Sequence, residues 1–207
     1  MLNVALAKGR LGDVVYGLLD KIGYGSSDHD KGRKLIYSSN NGNINYFWVK
    51  PSDVAIYVER GAADVGVVGR DILLETKPDV YELCDLGFGK CKMAVAAKKD
   101  FVDNKALTLR VATKFPEIAG DYYSKQGREI EIIKLNGSIE LAPLTGFSDV
   151  IVDIVETGKT LKENGLEVIA DVVDISARFI ANKSSYKFKF SEIDDMLNKI
   201  KDGNNND

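Results

Sequence analysis

The residues best suited to chemistry lie in the second half of the chain, where a carboxylate interrupts an apolar run. Asp153 stands between Val152 and the apolar pair Ile154 and Val155. A charged side chain among apolar residues costs free energy unless it has a partner or a function. Its position near the end of an apolar strand makes Asp153 a candidate acceptor of hydrogen bonds from a ribose diol.

The chain continues from this strand into a short polar loop, residues 156–160 (ETGKT), and then into a helix. The backbone N–H groups of a glycine-containing loop and the positive end of the following helix both favour an anion such as phosphate. Gly158 allows the backbone to approach the ligand closely, and Thr157 and Thr160 add hydroxyl donors. The alternative is an ordinary strand-to-helix turn with good capping residues. A Walker-type P-loop is excluded, because no glycine precedes the loop at the required offset.

These residues need a strand at 150–155 and a helix that begins near Thr160, and the same alternation runs through the whole chain. Apolar residues spaced from Leu11 to Ile22 predict a helix that follows a strand at residues 4–7. Strands that alternate with helices predict an α/β fold with largely parallel sheets. The other predicted strands cover 35–37, 45–49, 65–68, 109–112 and 131–135, and the other predicted helices cover 51–60, 70–75, 116–123, 139–144 (capped by Ser138) and a last one capped by Ser191. The last helix has a predicted apolar stripe of Ile193, Met196, Leu197 and Ile200.

Two long extended segments have a separate meaning for the domain organisation. Residues 83–97 form one strand region interrupted by Gly87 and Gly89, and residues 168–181 are extended in the same way. Both segments are candidates for strands that cross between two lobes. No linker or shift in composition marks a domain boundary.

The overall composition narrows the function further. The chain has 207 residues and a formal net charge of −3, whereas a general nucleic-acid binder carries a basic excess. The N-terminal residues lack the pattern of a signal peptide, and no apolar run reaches the length of a membrane span. We therefore predict a cytoplasmic protein with neither a nucleic-acid nor a membrane partner. Cys84 and Cys91 lack the spacing of a zinc or redox pair, and we predict no metal held by the protein itself.

Beyond its local chemistry, the loop segment resembles the phosphoribosyl-pyrophosphate (PRPP) loop of phosphoribosyltransferases. Members that salvage nucleobases carry two consecutive acids before the loop, and here Val152 takes the place of the first acid. Over residues 140–161 the chain is similar instead to the signature of the ATP phosphoribosyltransferase family. The matching positions are Glu140, Gly146, Ser148, Ile151, Asp153, Ile154, Thr157, Gly158, Thr160 and Leu161.

Two more segments resemble the same family. Residues 5–11 (ALAKGRL) are similar to its opening strand and loop, and residues 53–73 are similar to a helix-strand-helix block that includes Asp64 and Asp71. The family usually has arginine shortly before this block, where this chain has Lys50. Lysine keeps the positive charge but lacks the bidentate fork of arginine.

The resemblance implies a two-lobed α/β fold like that of type II periplasmic binding proteins, with the active site in the interlobe cleft. Lobe I is expected to comprise residues 1–91 and 172–207 and to bear the nucleotide-binding and cationic residues. Lobe II is expected to comprise residues 92–171 and to bear the PRPP loop. Closure of the lobes would exclude water, which otherwise hydrolyses the activated sugar.

The resemblance also implies a reaction, in which N1 of the ATP adenine attacks C1 of PRPP. Pyrophosphate leaves with inversion at C1, and the product enters histidine biosynthesis as its first intermediate. N1 has a free lone pair at neutral pH, so no general base is needed, and the single histidine, His29, is expected to be solvated. Positioning and fixed positive charge then supply most of the rate. Mg²⁺ is expected on the pyrophosphate, held largely by substrate oxygens.

The same resemblance gives individual residues their roles. Arg33 and Lys50 are the candidate catalytic cations at the leaving group or the triphosphate, although Arg33 by itself also fits a solvated basic loop. Asp71 either binds the nucleotide or caps the helix that follows it. The expected PRPP site consists of Glu140, Asp153, Glu156, Thr157, Gly158, Lys159 and Thr160, and the expected ATP site consists of Lys8, Gly9, Arg10 and Asp71.

The expected partners follow from the length of the chain. It leaves no segment for a C-terminal histidine-sensing domain, and so it resembles the short form of the family, which works with a separate regulatory subunit similar to histidyl-tRNA synthetase. We expect a homo-dimer within a hetero-oligomer. Two rival functions are a solute-binding module of the same fold, which needs no TGKT loop, and a nucleobase phosphoribosyltransferase, against which Val152 argues.

Overall fold

The computed structural model describes residues 1–28 and 35–204, and the chain divides into two compact units. Unit 1 comprises Met1–Leu73, Lys77–Gly89 and the chain from Ser176, and unit 2 comprises Leu74–Thr76 and Lys90–Ile175. The lobe boundaries that we predict at 91/92 and 171/172 differ slightly from these divisions. None of the helices in the described ranges is both long and apolar enough to span a membrane.

Unit 1 is built on a six-stranded mixed sheet that is centred on three parallel strands. β1 (Leu2–Ala7) runs parallel to β3 (Ile44–Val49) on one side and to β4 (Val65–Gly69) on the other. Antiparallel pairs add the outer strands, so that the order is β2-β3-β1-β4-β11-β5, with β2 at Ile36–Ser38, β5 at Tyr81–Asp85 and β11 at Ala177–Ala181. The carboxyl ends of β3, β1 and β4 therefore meet at one edge of the sheet.

The alternation of side chains along β1 separates two apolar cores. Its even-numbered residues face α1 (Arg10–Leu19) and α8 (Phe190–Asn204), whereas Ala5 and Ala7 face α2 (Val54–Glu59). Two further helices begin in this unit, α3 (Arg70–Thr76) and α7 (Lys183–Phe188). The amphipathic stripe that we predict for the last helix is confirmed by the burial of Ile193, Met196, Leu197 and Ile200.

Unit 2 contains a five-stranded mixed sheet in the order β10-β6-β9-β7-β8. The middle strand, β9 (Val150–Val155), runs parallel to β7 (Leu109–Thr113), which runs parallel to β8 (Ile130–Lys134). On the other side, β6 (Cys91–Lys98) pairs antiparallel with β9, and β10 (Leu166–Ile175) pairs antiparallel with β6. The carboxyl ends of β9, β7 and β8 thus lie side by side.

Short helices cover both faces of the second sheet. On one face, α4 (Pro116–Ser124) packs over a core that includes Val111 and Val152. On the other face, α5 (Leu141–Leu144) and α6 (Lys159–Glu163) pack over a core that includes Ala112 and Ile151. The strand β9 therefore presents alternate residues to two different layers of helix.

The structure confirms most predicted elements and corrects several details. Residues 83–97 contain two strands, β5 and β6, with the predicted interruption at Gly87 and Gly89, and the two strands belong to different sheets, so the chain passes there from unit 1 to unit 2. Both sheets are mixed rather than largely parallel, since β11 runs antiparallel to β4 in one sheet and β6 runs antiparallel to β9 in the other. The sequence prediction also lacks α7, whose N-cap is Asn182, and Ser191 is the second residue of α8 rather than its cap. Ser138 has a φ of 48° and precedes Glu140, which is the actual N-cap of α5.

Candidate functional site

The loop after β9 forms the wall of a cavity of about 380 Å³ that lies within unit 2. The floor of the cavity is apolar and comes from β6 and β9, where Ala94, Ala96 and Ile151 leave room beside the sheet. The rim is polar. Every residue of the expected PRPP site lines this loop cavity, namely Glu140, Asp153, Glu156, Thr157, Gly158, Lys159 and Thr160.

The backbone of the loop is shaped to present N–H groups rather than side chains. Gly158 is the N-cap of α6 and has a φ of 69°, a left-handed conformation that strains any residue with a Cβ. The hydroxyl of Thr157 accepts a long hydrogen bond of 3.4 Å from the Lys159 N–H. The N–H groups in the first turn of a helix have no acceptor inside the helix. Because α6 spans only Lys159–Glu163, these N–H groups matter more here than a helix dipole does.

Asp153 is the chemically distinctive side chain of this cavity. It lies on the face of β9 that carries Ile151 and Val155, and within the described residues the only hydrogen bond to its carboxylate comes from the N–H of Ile154, at 2.8 Å. Burial raises the pKa of Asp153, the hydrogen bond and the charge of Lys114 lower it, and the charge of Glu140 raises it again. The net pKa is above the usual value. The carboxylate therefore has unused hydrogen-bonding capacity in a partly desolvated cavity.

The two remaining charged residues of the loop, Glu156 and Lys159, have exposed side chains. Lys159 and Glu163 form an ion pair at 3.8 Å between largely exposed side chains, and such pairs contribute little to stability. Glu156 is exposed on the rim of the cavity. Both loop residues therefore have side chains on the rim, within reach of a ligand in the loop cavity.

In unit 1 the expected ATP-binding residues follow the central strand. Lys8 and Lys50 come directly after β1 and β3, whose ladder ends at the pair Ala7 and Val49. The N–H of Lys8 donates to the carbonyl oxygen of Val49 at 2.8 Å, so the chain leaves both strands side by side. The two lysine side chains are exposed. Strand pairing thus places together two cations that are far apart in the sequence.

A close approach of helix to strand fixes the start of α1. Gly9 is the N-cap, with a φ of 97°, and Arg10 is the first residue of the helix and is exposed. A Cβ on Gly12 would lie 1.7 Å from the carbonyl oxygen of Ala7, so only glycine fits there. The loop between β1 and α1 is therefore tight.

Asp71 lies at the third carboxyl end, in the first turn of α3 after β4. It is 8% exposed, and a Cβ on Gly69 would lie only 2.1 Å from its Oδ1. The carboxylate is folded back against the backbone that begins its own helix. Asp71 is the second residue of α3, whose N-cap is Gly69, so the expectation that Asp71 caps this helix is wrong, and its role in binding ATP stays a prediction.

Two residues of the sequence prediction, Arg33 and His29, lie outside the described residues. Within residues 1–28 and 35–204, no group of three or more His, Cys, Asp or Glu side chains is arranged to hold a metal ion. The expected Mg²⁺, held largely by substrate oxygens, stays a prediction.

Sequence reasoning missed Thr113 and Lys114, at the carboxyl end of β7. The ladder between β7 and β9 ends at Thr113 and Val152, so Lys114 is the next residue beside Asp153. A signal was present in the sequence, because polar residues follow both apolar strands. What it lacked was the knowledge that these two strands are neighbours.

The fold alone is shared with proteins of low sequence identity. The periplasmic aliphatic sulphonate binding protein SsuA from Escherichia coli superposes with a TM-score of 0.62 at 13% identity, over 98% of this chain and 72% of that chain. The alkanesulfonate-binding protein SsuA from Xanthomonas axonopodis pv. citri gives 0.59 at 11%, with the same shares. These similarities confirm an α/β fold of the type II periplasmic-binding-protein class.

Closer relatives define the family within that class. A sequence profile for HisG: ATP phosphoribosyltransferase matches residues 50–202. Proteins named ATP phosphoribosyltransferase from Clostridioides difficile (strain 630) and Brachyspira hyodysenteriae (strain ATCC 49526 / WA1) are each 53% identical, over 95% and 98% of this chain and 95% and 99% of theirs. A chain of the ATP phosphoribosyl transferase (HisG:HisZ) complex from Thermotoga maritima superposes with a TM-score of 0.89 at 35% identity over the whole of both chains. The chain belongs to the ATP phosphoribosyltransferase family.

Proposed function

We propose that this protein transfers the phosphoribosyl group of PRPP to N1 of ATP and releases pyrophosphate, as the first step of histidine biosynthesis in the cytoplasm. The observation that carries the proposal is the cavity of about 380 Å³ that is lined by Asp153 and residues 156–160, in a chain that belongs to this family along nearly its whole length. A carboxylate beside an N–H-rich loop is suited to a ribose that bears a phosphate.

The proposed PRPP site divides the substrate between two kinds of group. The N–H groups around Gly158 and the hydroxyls of Thr157 and Thr160 bind the 5-phosphate, since an anion is stabilised by converging donors. Asp153 accepts hydrogen bonds from the ribose hydroxyls, which use the acceptor capacity that the N–H of Ile154 leaves. Glu140, Glu156 and Lys159 complete the wall of the cavity.

The proposed chemistry requires positioning and charge rather than proton removal. The N1 lone pair forms a bond to C1 while the bond from C1 to the pyrophosphate oxygen breaks, so both electrons of that bond leave with pyrophosphate. Lys50 and Arg33 are proposed to bind the developing charge, and Lys8, Gly9, Arg10 and Asp71 are proposed to bind ATP. Mg²⁺ bound to substrate oxygens neutralises part of the leaving group when it is present.

We also propose a regulatory partner. The Thermotoga maritima structure of a HisG:HisZ complex contains a chain that this protein matches over its full length, which supports a separate HisZ-like subunit, similar to histidyl-tRNA synthetase, bound to a homo-dimer of this chain. On this proposal, histidine inhibits the reconstituted complex and does not change the activity of the isolated chain. Strong inhibition of the isolated chain by histidine would contradict it.

The decisive experiment is an assay with labelled PRPP, Mg²⁺ and either ATP or free nucleobases, with and without a HisZ-like subunit. The proposal expects that a labelled ATP adduct and an equimolar amount of pyrophosphate form when ATP is the acceptor, and that free nucleobases receive no label. Transfer of the labelled phosphoribosyl group to a nucleobase would contradict the proposal and indicate the salvage reaction instead. Binding of PRPP without any turnover, in both arms of the subunit test, would contradict an enzymatic function.

A further inference from the structure

The strand register of unit 2 places a lysine beside the carboxylate of the loop cavity. β7 and β9 are parallel neighbours, and their ladder pairs Ala112 with Ile151 and Thr113 with Val152. The next residues along the two strands are Lys114 and Asp153. Lys114 comes directly after the end of β7, so the register places it beside Asp153 at the carboxyl edge of the sheet. Asp153 projects to the face of Ile151, which is the face that bears the loop cavity.

The backbone around Lys114 is held firmly on both sides. Thr113 is fully buried, and its hydroxyl donates to the carbonyl oxygen of Val152 at 2.6 Å and accepts from the N–H of Phe115 at 2.9 Å. The first bond ties the end of β7 to β9, and the second ties it to the start of α4. The position of Lys114 relative to Asp153 is therefore set by buried hydrogen bonds, although its own side chain is exposed.

Among the described residues, few charged side chains of the neighbouring strands and helices lie close enough to affect the ionisation of Asp153. β6 contributes the uncharged Ala94 opposite it, and Lys92, further along the same face, is paired with Asp171 at 2.6 Å. The segment before α5 contributes Glu140, a like charge.

The loop after β9 adds one charge of each sign. Glu156 and Lys159 both lie on the rim of the cavity, and Lys159 is paired with Glu163 at 3.8 Å. Among the described residues, the charge of Lys114 lowers the pKa of Asp153, against burial and against the charge of Glu140.

We propose that Lys114 is a positioning residue for PRPP binding, which keeps the Asp153 carboxylate ionised so that it accepts hydrogen bonds from the ribose hydroxyls. The inference rests on the proposed function for the identity of the sugar phosphate, while the pairing of the two residues is independent of it. A protonated Asp153 presents a hydroxyl donor toward the sugar and loses an acceptor. We therefore expect PRPP affinity to fall at low pH as Asp153 becomes protonated. We expect the positive charge of Lys114 to shift this fall toward lower pH.

The first test measures the carboxyl group itself in the protein without substrate. NMR of carboxyl carbon-13 shifts is expected to show the Asp153 titration about one pH unit higher in Lys114→Gln than in the wild type, the lower end of what one neighbouring charge does. Lys114→Arg keeps the positive charge, so Asp153 is expected to titrate in this variant as it does in the wild type. An unchanged titration in Lys114→Gln would overturn the proposal whatever the enzyme catalyses.

The matched control is Lys134→Gln. Lys134 pairs with Thr113 at the carboxyl end of β8 and is exposed on the same edge of the sheet. Like Thr113, it belongs to the face opposite the one that bears the loop cavity. The substitution Lys134→Gln removes the same charge as Lys114→Gln at the same edge of the sheet. We expect it to change neither the titration of Asp153 nor the affinity for PRPP. An equal effect of the two substitutions would mean that only net charge matters.

The second test measures PRPP binding by calorimetry between pH 5 and pH 8, with Mg²⁺ present. For Lys114→Gln we expect about a tenfold loss of affinity at the acid end, because one pKa unit corresponds to a factor of ten, and nearly wild-type affinity at the alkaline end. A large loss that is the same at every pH would overturn the positioning role and assign Lys114 to direct contact with a phosphate. If wild-type protein does not bind PRPP while the Asp153 titration responds as expected, the proposed function fails and the pairing stands.

Discussion

Two aspartates next to apolar strand residues, the buried Asp64 and the half-buried Asp153, show how differently this chain uses a carboxylate. Asp64 precedes β4 in unit 1, is 4% exposed, and accepts hydrogen bonds from the N–H of Asn3 at 2.8 Å, the hydroxyl of Ser185 at 2.6 Å and the ammonium of Lys189 at 2.8 Å. Asp153 in unit 2 has only its neighbour's N–H among the described residues. The first carboxylate is saturated, and the second keeps its acceptors for something else.

The two pKa values move in opposite directions for this reason. Burial raises the pKa of Asp64, but the hydrogen bonds from Lys189, Ser185 and Asn3 outweigh burial and lower it overall. Burial also raises the pKa of Asp153, and its weaker partners leave it raised. A saturated carboxylate stabilises the fold, whereas an unsaturated one is costly until a ligand supplies donors. The comparison therefore separates a structural aspartate from the aspartate that we propose binds PRPP.

The largest expected effect tests the binding aspartate. Asp153→Asn should lower turnover by about three powers of ten, as the loss of an electrostatic group in an active site does, and should weaken PRPP binding. Steady-state kinetics and calorimetry measure these two losses. Because the carboxylate is not saturated in the free protein, the midpoint of urea unfolding should stay the same or rise. Near wild-type PRPP affinity would remove Asp153 from the site.

A second substitution tests the loop beside Asp153. Gly158→Val should reduce PRPP affinity by at least about a hundredfold, since the φ of 69° strains a β-branched residue and the added side chain lies where the phosphate meets the backbone. Gly165→Val is the matched control, because Gly165 has a φ of 68° beyond the end of α6 and does not line the cavity. Equal loss of PRPP affinity in both variants would indicate a general effect of strain.

The opposite result is expected for the structural aspartate. Asp64→Asn should lower the free energy of unfolding by about 2–3 kcal/mol, because it leaves Lys189 without its partner in a partly buried position. Turnover per folded molecule should change little. Ser185→Ala, which removes one of the donors to Asp64, should cost about 1 kcal/mol. Denaturant unfolding measures both losses, and a turnover defect in folded Asp64→Asn would contradict the assignment.

The smallest effect concerns pH. The folded pKa of Asp64 is lowered, so its stabilisation is present above the unfolded value of about 3.9 and is lost as the pH falls through the folded value. The raised pKa of Asp153 has the opposite sign, since the folded state binds more protons and stability falls as the pH rises from about 3.9 through the folded value. Urea unfolding from pH 3 to pH 7 should show Asp153→Asn gaining on the wild type across that window, while Asp64→Asn loses ground. Parallel curves for the two variants would contradict the comparison.

The local sequence was sufficient for most of the elements and for the loop. Apolar spacing and capping residues act over a few positions, so β9, the turn at Gly158 and the stripe of α8 follow from neighbouring residues alone. The segment 140–161 carries its own chemistry for the same reason, because the loop cavity takes its polar residues from this one stretch of chain.

Only the tertiary structure decided which charges stand together and which are already satisfied. In the sequence, Asp64 and Asp153 look alike, each beside an apolar run, and the difference arises because α7 and the following turn bring Ser185 and Lys189 to Asp64. The pairing of β7 with β9 brings Lys114 to Asp153, and the pairing of β1 with β3 brings Lys8 to Lys50. Strand order depends on packing between distant segments, and the period of a single strand contains no information about its neighbours.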